Sequence, residues 1–227
     1  YVPELDGVAY GKPVTFRPFI NAYQYMKYDA EKNEYSNRSI IFKSWKDEAI
    51  DAKGGIRCGK IPAKELANLS EEERTKQKAI KCYRLIYGMV SFEGVLAGGN
   101  EAQVVNLPVL WKVTGSNFKP VGEAIESLRR RGKVMFNHTL TLKAKKKKAG
   151  SNVFYVSDIT VDTDEVSFTD AEKETLLNFQ EVINTENEEI VELWRQAKKA
   201  EPVTVKASEA KTVDADFDDD PIEVLSS

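Results

Sequence analysis

The stretch "LPVLWKVTGSNFKPVGEAIESLRRRGKVMFNHTLTLKAKKKKAGSNVFYV", residues 107–156, contains the pattern that decides the fold. Its first part is apolar and predicts a strand, in which Pro108 favours a sheet edge or a strand start. The segment "GSNFKPVGEAIESLRRRGK" predicts a helix, because it carries an apolar stripe of Val121, Ile125 and Leu128 and is stopped by a glycine. The alternating "VMFNHTLTLKAK" and the following "NVFYVSDITV" then predict a hairpin whose turn is "KKKKAGSN".

Further elements are predicted on both sides of this stretch. "CYRLIYGMVSFEG" (82–94) is typical of a long strand with a possible bulge at Gly88, and "SIIFKSW" (39–45) is typical of a shorter one. "SEEERTKQKAI" (70–80) begins with a capping box and predicts a short helix. A second capping box opens residues 169–201, which predict a helix broken near "NTEN".

Together these elements predict a mainly β fold with added helices. Strand, strand, helix and hairpin are the content of an OB-fold-like antiparallel barrel with an inserted helix. We expect residues 1–168 to form this OB-fold-like core with long insertions, and 169–200 to form a C-terminal helical segment. Residues 201–227 have no periodicity and predict a linker followed by a disordered acidic tail.

Composition excludes several classes of protein. The chain has 227 residues, 41% of them hydrophobic, which is enough for one packed core. It contains no run of 18 apolar residues and no signal-peptide pattern near Tyr1, so we expect no membrane partner and no standard secretion. Two cysteines and one histidine make a disulfide framework or a four-ligand zinc site unlikely, and we expect no metal and no cofactor.

The net charge of −3 is distributed unevenly along the chain. Residues 212–227 hold six acidic residues and no basic one, so the remainder carries −3 + 6 = +3. Residues 129–148 hold nine basic residues and no acidic one. The basic segment 129–148 favours a polyanionic partner for this part of the chain. Solvated lysines at a hairpin tip explain the same segment without any ligand.

No catalytic constellation is evident in the sequence, so we predict that the protein is not an enzyme. "GGIRCGK" (54–60) matches part of a phosphate-binding loop, but Ile61 stands where that loop needs a hydroxyl side chain, and no apolar strand precedes it. His138 lies between Phe136 and Leu140 in an alternating segment and has no evident nucleophile beside it. The acidic residues of "DITVDTDE" (158–165) alternate with uncharged ones, as on a solvated strand face.

Aromatic residues are interleaved with the basic ones, which is the combination that single-stranded nucleic acid requires. Bases stack on rings at about 1–3 kcal/mol each, while cations neutralise the phosphates without reading the sequence. Most rings are expected in the core, and only a few beside lysine or arginine are needed for binding.

At this point residues 107–156 resemble the core of bacteriophage single-stranded DNA-binding proteins, in which an OB-fold is followed by an acidic tail. The resemblance implies a non-enzymatic protein in the host cytoplasm that coats single strands during phage DNA replication, recombination and repair. It assigns groove positions to Trp111, Lys112, Phe118 and Lys119. It also implies that Arg129–Arg131 and Lys143–Lys148 neutralise the phosphate backbone of the bound strand.

The complete set of predicted DNA-binding residues combines this resemblance with the aromatic and basic positions. It comprises Tyr25, Tyr28, Lys43, Trp45, Trp111, Lys112, Phe118, Lys119, Arg129, Arg130, Arg131, Lys133, Phe136, Lys143, Lys145, Lys146, Lys147, Lys148 and Tyr155.

The acidic tail "DFDDDPIEVLSS" (216–227) is predicted to have two roles. Tethered by a flexible linker, it competes with DNA for the basic surface. Once DNA displaces it, the tail recruits a replication partner such as a polymerase, helicase or primase. The predicted partner-binding residues are Asp216, Phe217, Asp218, Asp219, Asp220 and Ile222.

Two alternative functions fit the same sequence features. The basic surface also suits an RNA-binding or strand-annealing protein, which only discrimination at the 2′-hydroxyl separates from a DNA binder. The uneven charge also suits a phage assembly factor that binds other proteins and no nucleic acid. Self-association through residues 169–199 is compatible with each of these functions.

Overall fold

The structure is a computed structural model that describes residues 8–11, 13–29, 31–44, 49–53 and 63–200. In this part of the chain, short 3-10 turns lie at Gly115–Asn117 and Met135–Asn137. The strands and helices are, in order, β1 Ala9–Gly11, β2 Val14–Asp29, β3 Glu34–Arg38, α1 Ala63–Asn68, α2 Glu71–Lys78, β4 Ile80–Leu96, β5 Glu101–Val113, α3 Phe118–Arg130, β6 Leu140–Ala149, β7 Asn152–Val161 and α4 Asp170–Ala200.

All seven described strands join one antiparallel sheet, in the order β1-β4-β2-β6-β7, with β3 added to β2 and β5 added to β4. This confirms the predicted mainly β fold with added helices. The sheet is open, however, so the described strands do not close into the expected barrel. Among the described strands β5 pairs only with β4 and β7 only with β6, so the two ends of the sheet do not pair with each other.

The two faces of the sheet are covered by different helices. Ile86 belongs to a cluster with Val121 and Ile125 of α3, whereas its neighbour Leu85 belongs to a cluster that contacts Phe179 of α4. Because successive residues of a strand point to opposite faces, α3 and α4 lie on opposite sides of the sheet. Helix α3 buries the stripe of Val121, Ile125 and Leu128 that its sequence shows, whereas α4 buries Ile190 but leaves Leu177 and Val182 exposed.

Helix α3 begins and ends where its sequence predicts. Pro120 lies in the first turn, where its missing N–H is not needed. At the other end Gly132 adopts a positive φ of 67°, and the N–H of Lys133 donates to the carbonyl of Leu128 at 3.0 Å. This C-terminal cap explains why the helix stops after the arginine run.

Helix α4 is continuous, which corrects the predicted break near "NTEN" (184–187). The polar residues of that segment bond to the sheet instead of ending the helix. The Asn187 side chain accepts from the N–H of Ile41 at 2.6 Å and donates to the Ile41 carbonyl at 3.0 Å, while Glu186 accepts from Gln24 at 2.8 Å. Among the described residues no helix is long and apolar enough to cross a membrane.

Two predicted strand segments adopt other structures. In 39–45, Ser39 and Phe42 form only isolated bridges, because the intervening N–H of Ile41 bonds to α4 rather than to a strand. The alternating segment 134–143 becomes regular only at Leu140, since residues 135–137 form a 3-10 turn. There the Phe136 carbonyl accepts from the side chain of Arg17 at 2.7 Å, outside any strand ladder.

Arg17 ties the N-terminal end of α4 to the sheet. Its side chain is buried and forms an ion pair with Glu172, and it also donates to the Ser167 carbonyl at 2.9 Å. Glu172 is the acidic member of the predicted capping box and accepts from both the N–H and the hydroxyl of Thr169, at 2.8 and 2.9 Å. One carboxylate therefore caps α4 and neutralises a buried guanidinium.

Candidate nucleic-acid interface

The most basic described surface is the two-stranded ribbon of β6 and β7, residues 140–161, which we call the basic ribbon. It carries five lysines, Lys143 and Lys145–Lys148, and a single acidic residue, Asp158. The lysines lie within β6 rather than in the predicted turn, which is reduced to Gly150 and Ser151. All five are exposed, and in the described part of the chain none of them forms an ion pair.

The ladder between β6 and β7 places an aromatic ring among these lysines. Tyr155 is 61% exposed and lies directly opposite Lys146, with Lys148 two residues further on the same face. Directly opposed side chains of an antiparallel pair have Cβ atoms about 4.5–5.5 Å apart. An exposed ring therefore lies among ammonium groups, which is the arrangement that base stacking with phosphate neutralisation needs.

Helix α3 supports the ribbon and adds further cations. The Asn117 side chain, at the start of α3, accepts from the backbone N–H of Ser157 on β7 at 2.7 Å. Lys119 and Arg129 are predicted DNA-binding residues, but each lies near a glutamate of its own helix, at 3.7 and 3.4 Å. Two further predicted arginines, Arg130 and Arg131, are exposed at the C-terminal end of the helix and form no ion pair with a described residue.

Three predicted stacking rings pack against other aromatic rings of the protein. Tyr25 is 8% exposed and stacks on Phe42 with the ring planes 4° apart. Trp111 is half-buried against the α3 cluster, in edge contact with Phe16. Phe136 contacts Phe168 at 4.6 Å between ring centroids. Their distribution shows that these rings contribute to packing, as most aromatic residues do.

A second aromatic group lies on the opposite face of the sheet, beside α4. Tyr28 and Tyr35 pair across the β2–β3 hairpin, Tyr83 contacts Tyr35, and the Lys112 ammonium lies 5.7 Å from the Tyr35 ring centroid. Sequence reasoning selected Tyr28 and Lys112 but missed the other two, although "YDAEKNEY" (28–35) is a recognisable hairpin that pairs its two tyrosines.

The surroundings of this second group are unfavourable for a polyanion. It borders a groove of about 620 Å³ whose α4 side carries Glu181, Glu186 and Glu189, opposite Arg38 on the sheet. Arg38 is already paired with Glu186 and Glu189, at 3.2 and 3.1 Å. The predicted DNA-binding residues thus lie on both faces of the described sheet. The basic ribbon suits an anion better than the groove beside α4 does.

Lys133 and His138 have local partners. Lys133 pairs with Glu165, and this contact lowers the pKa of the Glu165 carboxyl group. The His138 ring is buried and donates through Nδ1 to the Asp162 carbonyl at 3.2 Å, since a carbonyl oxygen only accepts. Both contacts join the loop before α4 to the segment before β6.

The described residues offer no evident reactive centre. They contain no group of three or more histidine, cysteine, aspartate and glutamate side chains placed to hold a metal ion. Burial raises the pKa of Cys82 to about 11, which keeps this thiol protonated and poorly nucleophilic at neutral pH. Burial, with a hydrogen bond to Tyr35, also raises the pKa of Tyr83 to about 12.

Several predictions concern residues outside the described part of the chain. Trp45, the glycine-rich segment 54–60 and the predicted tail residues Asp216, Phe217, Asp218, Asp219, Asp220 and Ile222 all lie there. Lys43 is described and exposed, but it does not belong to the basic ribbon.

No protein-family model, curated protein or solved structure matches this chain.

Proposed function

We propose that this chain is a non-enzymatic protein that binds single-stranded DNA without sequence preference, using the basic ribbon as its primary contact. The observation that carries the proposal is the exposed ring of Tyr155 opposite Lys146, among five lysines that form no ion pair with a described residue. The ring allows base stacking, and the cations neutralise phosphates and so release counterions. These are the two favourable contributions to the free energy of single-strand binding.

A ribbon of this kind suits single strands better than duplex DNA. In a duplex the bases are stacked on one another, so the Tyr155 ring has no free base face to contact. Helix α3 buries its apolar stripe against the sheet, so that face is not available to enter a major groove. Stacking and phosphate neutralisation do not depend on hydrogen bonds to base edges, so we expect similar affinities for different DNA sequences.

In its biological setting, we propose that the protein protects and organises single strands during phage DNA replication, recombination and repair. The resemblance of residues 107–156 and the acidic tail support this setting. The tail then recruits a polymerase, helicase or primase when DNA occupies the ribbon. Competition between DNA and RNA oligonucleotides of the same sequence separates this proposal from an RNA-binding role.

Replacing Tyr155 with alanine tests the proposal at its most specific residue. We expect Tyr155→Ala to weaken binding to an oligothymidylate by about 5- to 150-fold, since a stacked base contributes about 1–3 kcal/mol. Tyr155→Phe keeps the ring face and should bind nearly as well as the natural chain. Fluorescence anisotropy with a labelled oligonucleotide measures all three affinities.

Tyr10→Ala is the matched control, because Tyr10 is 60% exposed but lies on β1, outside the ribbon. It should leave the affinity unchanged within about twofold. Equal effects of Tyr10→Ala and Tyr155→Ala would show that Tyr155 has no special contact with the bound strand.

A further inference from the structure

Arg84 of β4 is a buried cation with no acidic partner among the described residues. It is 5% exposed, and its Nη1 atom donates to the side-chain oxygen of Asn21 at 2.9 Å. The guanidinium carbon lies 4.9 Å from the ring centroid of Tyr23 and 5.0 Å from that of Phe118. The Nε atom is buried and has no hydrogen-bond partner.

Arg17 is a second buried arginine of this fold and can be compared with Arg84. Arg17 is 7% exposed, is paired with Glu172 and donates to backbone carbonyl groups. Arg84 has comparable burial without a carboxylate. Two aromatic faces offset part of the desolvation cost, but a buried charge without a counterion remains unfavourable.

The helix that covers Arg84 increases the positive potential around it. The guanidinium lies against Gly122, because a Cβ atom at that position would be 2.5 Å from Nη2. Phe118, which stacks over it, is the first residue of α3, and the N-terminal end of a helix carries partial positive charge. Asn117 does not cap this end, since its side-chain oxygen accepts from Ser157.

We propose that Arg84 and the first turn of α3 form a binding site for a phosphate group. A phosphate supplies the missing negative charge, accepts from the orphaned Nε and is favoured by the partial positive charge at the start of α3. Phe118 is half-buried and lies over the guanidinium, so access of a ligand to Arg84 requires its side chain to rotate. The phosphate comes either from the backbone of a bound strand or from free phosphate.

Thermal melting in phosphate tests the site without any nucleic acid. The natural chain and Arg84→Met are compared in sodium phosphate and in sodium chloride at equal pH and ionic strength. We expect phosphate to raise the midpoint of the natural chain by about 3 °C more than that of Arg84→Met at saturating concentration. The general stabilisation by phosphate salts affects both proteins equally and cancels in this comparison.

The same experiment makes a second prediction, about the variant itself. In chloride, Arg84→Met should melt no lower than the natural chain, because methionine fills similar space without a buried charge. A large drop in the melting midpoint would overturn the proposal, and so would an equal response of both proteins to inorganic phosphate and to the oligothymidylate. Gly122→Ala retains the charge but displaces the guanidinium, and it should reduce the phosphate increment.

Oligonucleotides identify the source of the phosphate. One outcome is an Arg84-dependent shift of the melting midpoint with an oligothymidylate, but not with its neutral methylphosphonate analogue or with inorganic phosphate. This outcome assigns the site to a DNA backbone and upholds the proposal. A shift with inorganic phosphate assigns it to free phosphate. No Arg84-dependent shift with either ligand rejects it. The site does not depend on the basic ribbon, so loss of ribbon binding should leave an inorganic phosphate increment intact.

Discussion

Simultaneous replacement of Lys145–Lys148 by glutamate should weaken binding to single-stranded DNA by a hundredfold or more, on the order expected from losing four phosphate contacts. These four lysines are exposed and unpaired in the described structure, whereas Lys143 lies opposite Asp158. The slope of log affinity against log salt should fall by about 3, because each single-strand contact contributes about 0.7. Anisotropy titrations at several salt concentrations measure both quantities.

A matched variant distinguishes a local contact from a general effect of net charge. Lys32, Lys53, Lys64 and Lys81 are exposed lysines outside the ribbon, and their replacement by glutamate changes the net charge equally. This control should lose far less affinity, roughly threefold or less at 0.15 M salt, where distant charges are screened. Similar losses in the two variants would mean that binding follows total charge and not the ribbon.

Replacement of Arg17 by methionine should lower the free energy of unfolding by about 3–5 kcal/mol, because it leaves the Glu172 carboxylate buried without its cation. The side chains of Arg17 and Glu172 are only 8% and 11% exposed. The Phe136 and Ser167 carbonyls lose a donor at the same time. Urea denaturation followed by circular dichroism measures the change.

Arg38→Met is the control for this prediction. Arg38 also pairs with carboxylates of α4, but its side chain is 37% exposed, so its loss should cost less than about 1 kcal/mol. Adding Glu172→Leu to Arg17→Met should recover part of the stability, since the orphaned charge is removed. If Arg17→Met and Arg38→Met cost the same, Arg17 does not fasten α4 as described.

Local signals in the sequence were sufficient to predict much of the fold. The capping boxes at Ser70 and Thr169 form as predicted, because they depend on residues three positions apart. Gly132 ends α3 for the same local reason. Pro108 lies on β5, which pairs along one side only, as a strand without that N–H requires.

The errors arose where distant residues determine the local structure. The break expected near Asn187 does not occur because Ile41, far away in sequence, satisfies its side chain. The sheet is open because the described strands β5 and β7 do not pair with each other, and the residue pattern within one β-strand does not show which other strand it pairs with.

The candidate interface was only partly predictable for a related reason. The lysine run was evident from composition, but its placement in a strand opposite Tyr155 depends on the register of the hairpin. Alternation did not separate exposed rings from packed ones, and so Tyr25, which is buried, and Trp111, which is half-buried against the α3 cluster, were both selected. Arg84 gave no sequence signal, because its burial depends on how α3 crosses the sheet.

The central claim, that this chain binds single strands through charge and stacking, is tested most directly by titrating the full natural chain with matched single-stranded and duplex oligonucleotides at several salt concentrations. We predict tighter binding to the single strand at every salt concentration, with an affinity that falls steeply as salt rises. Equal affinity for the two forms, or an affinity independent of salt, would contradict the claim.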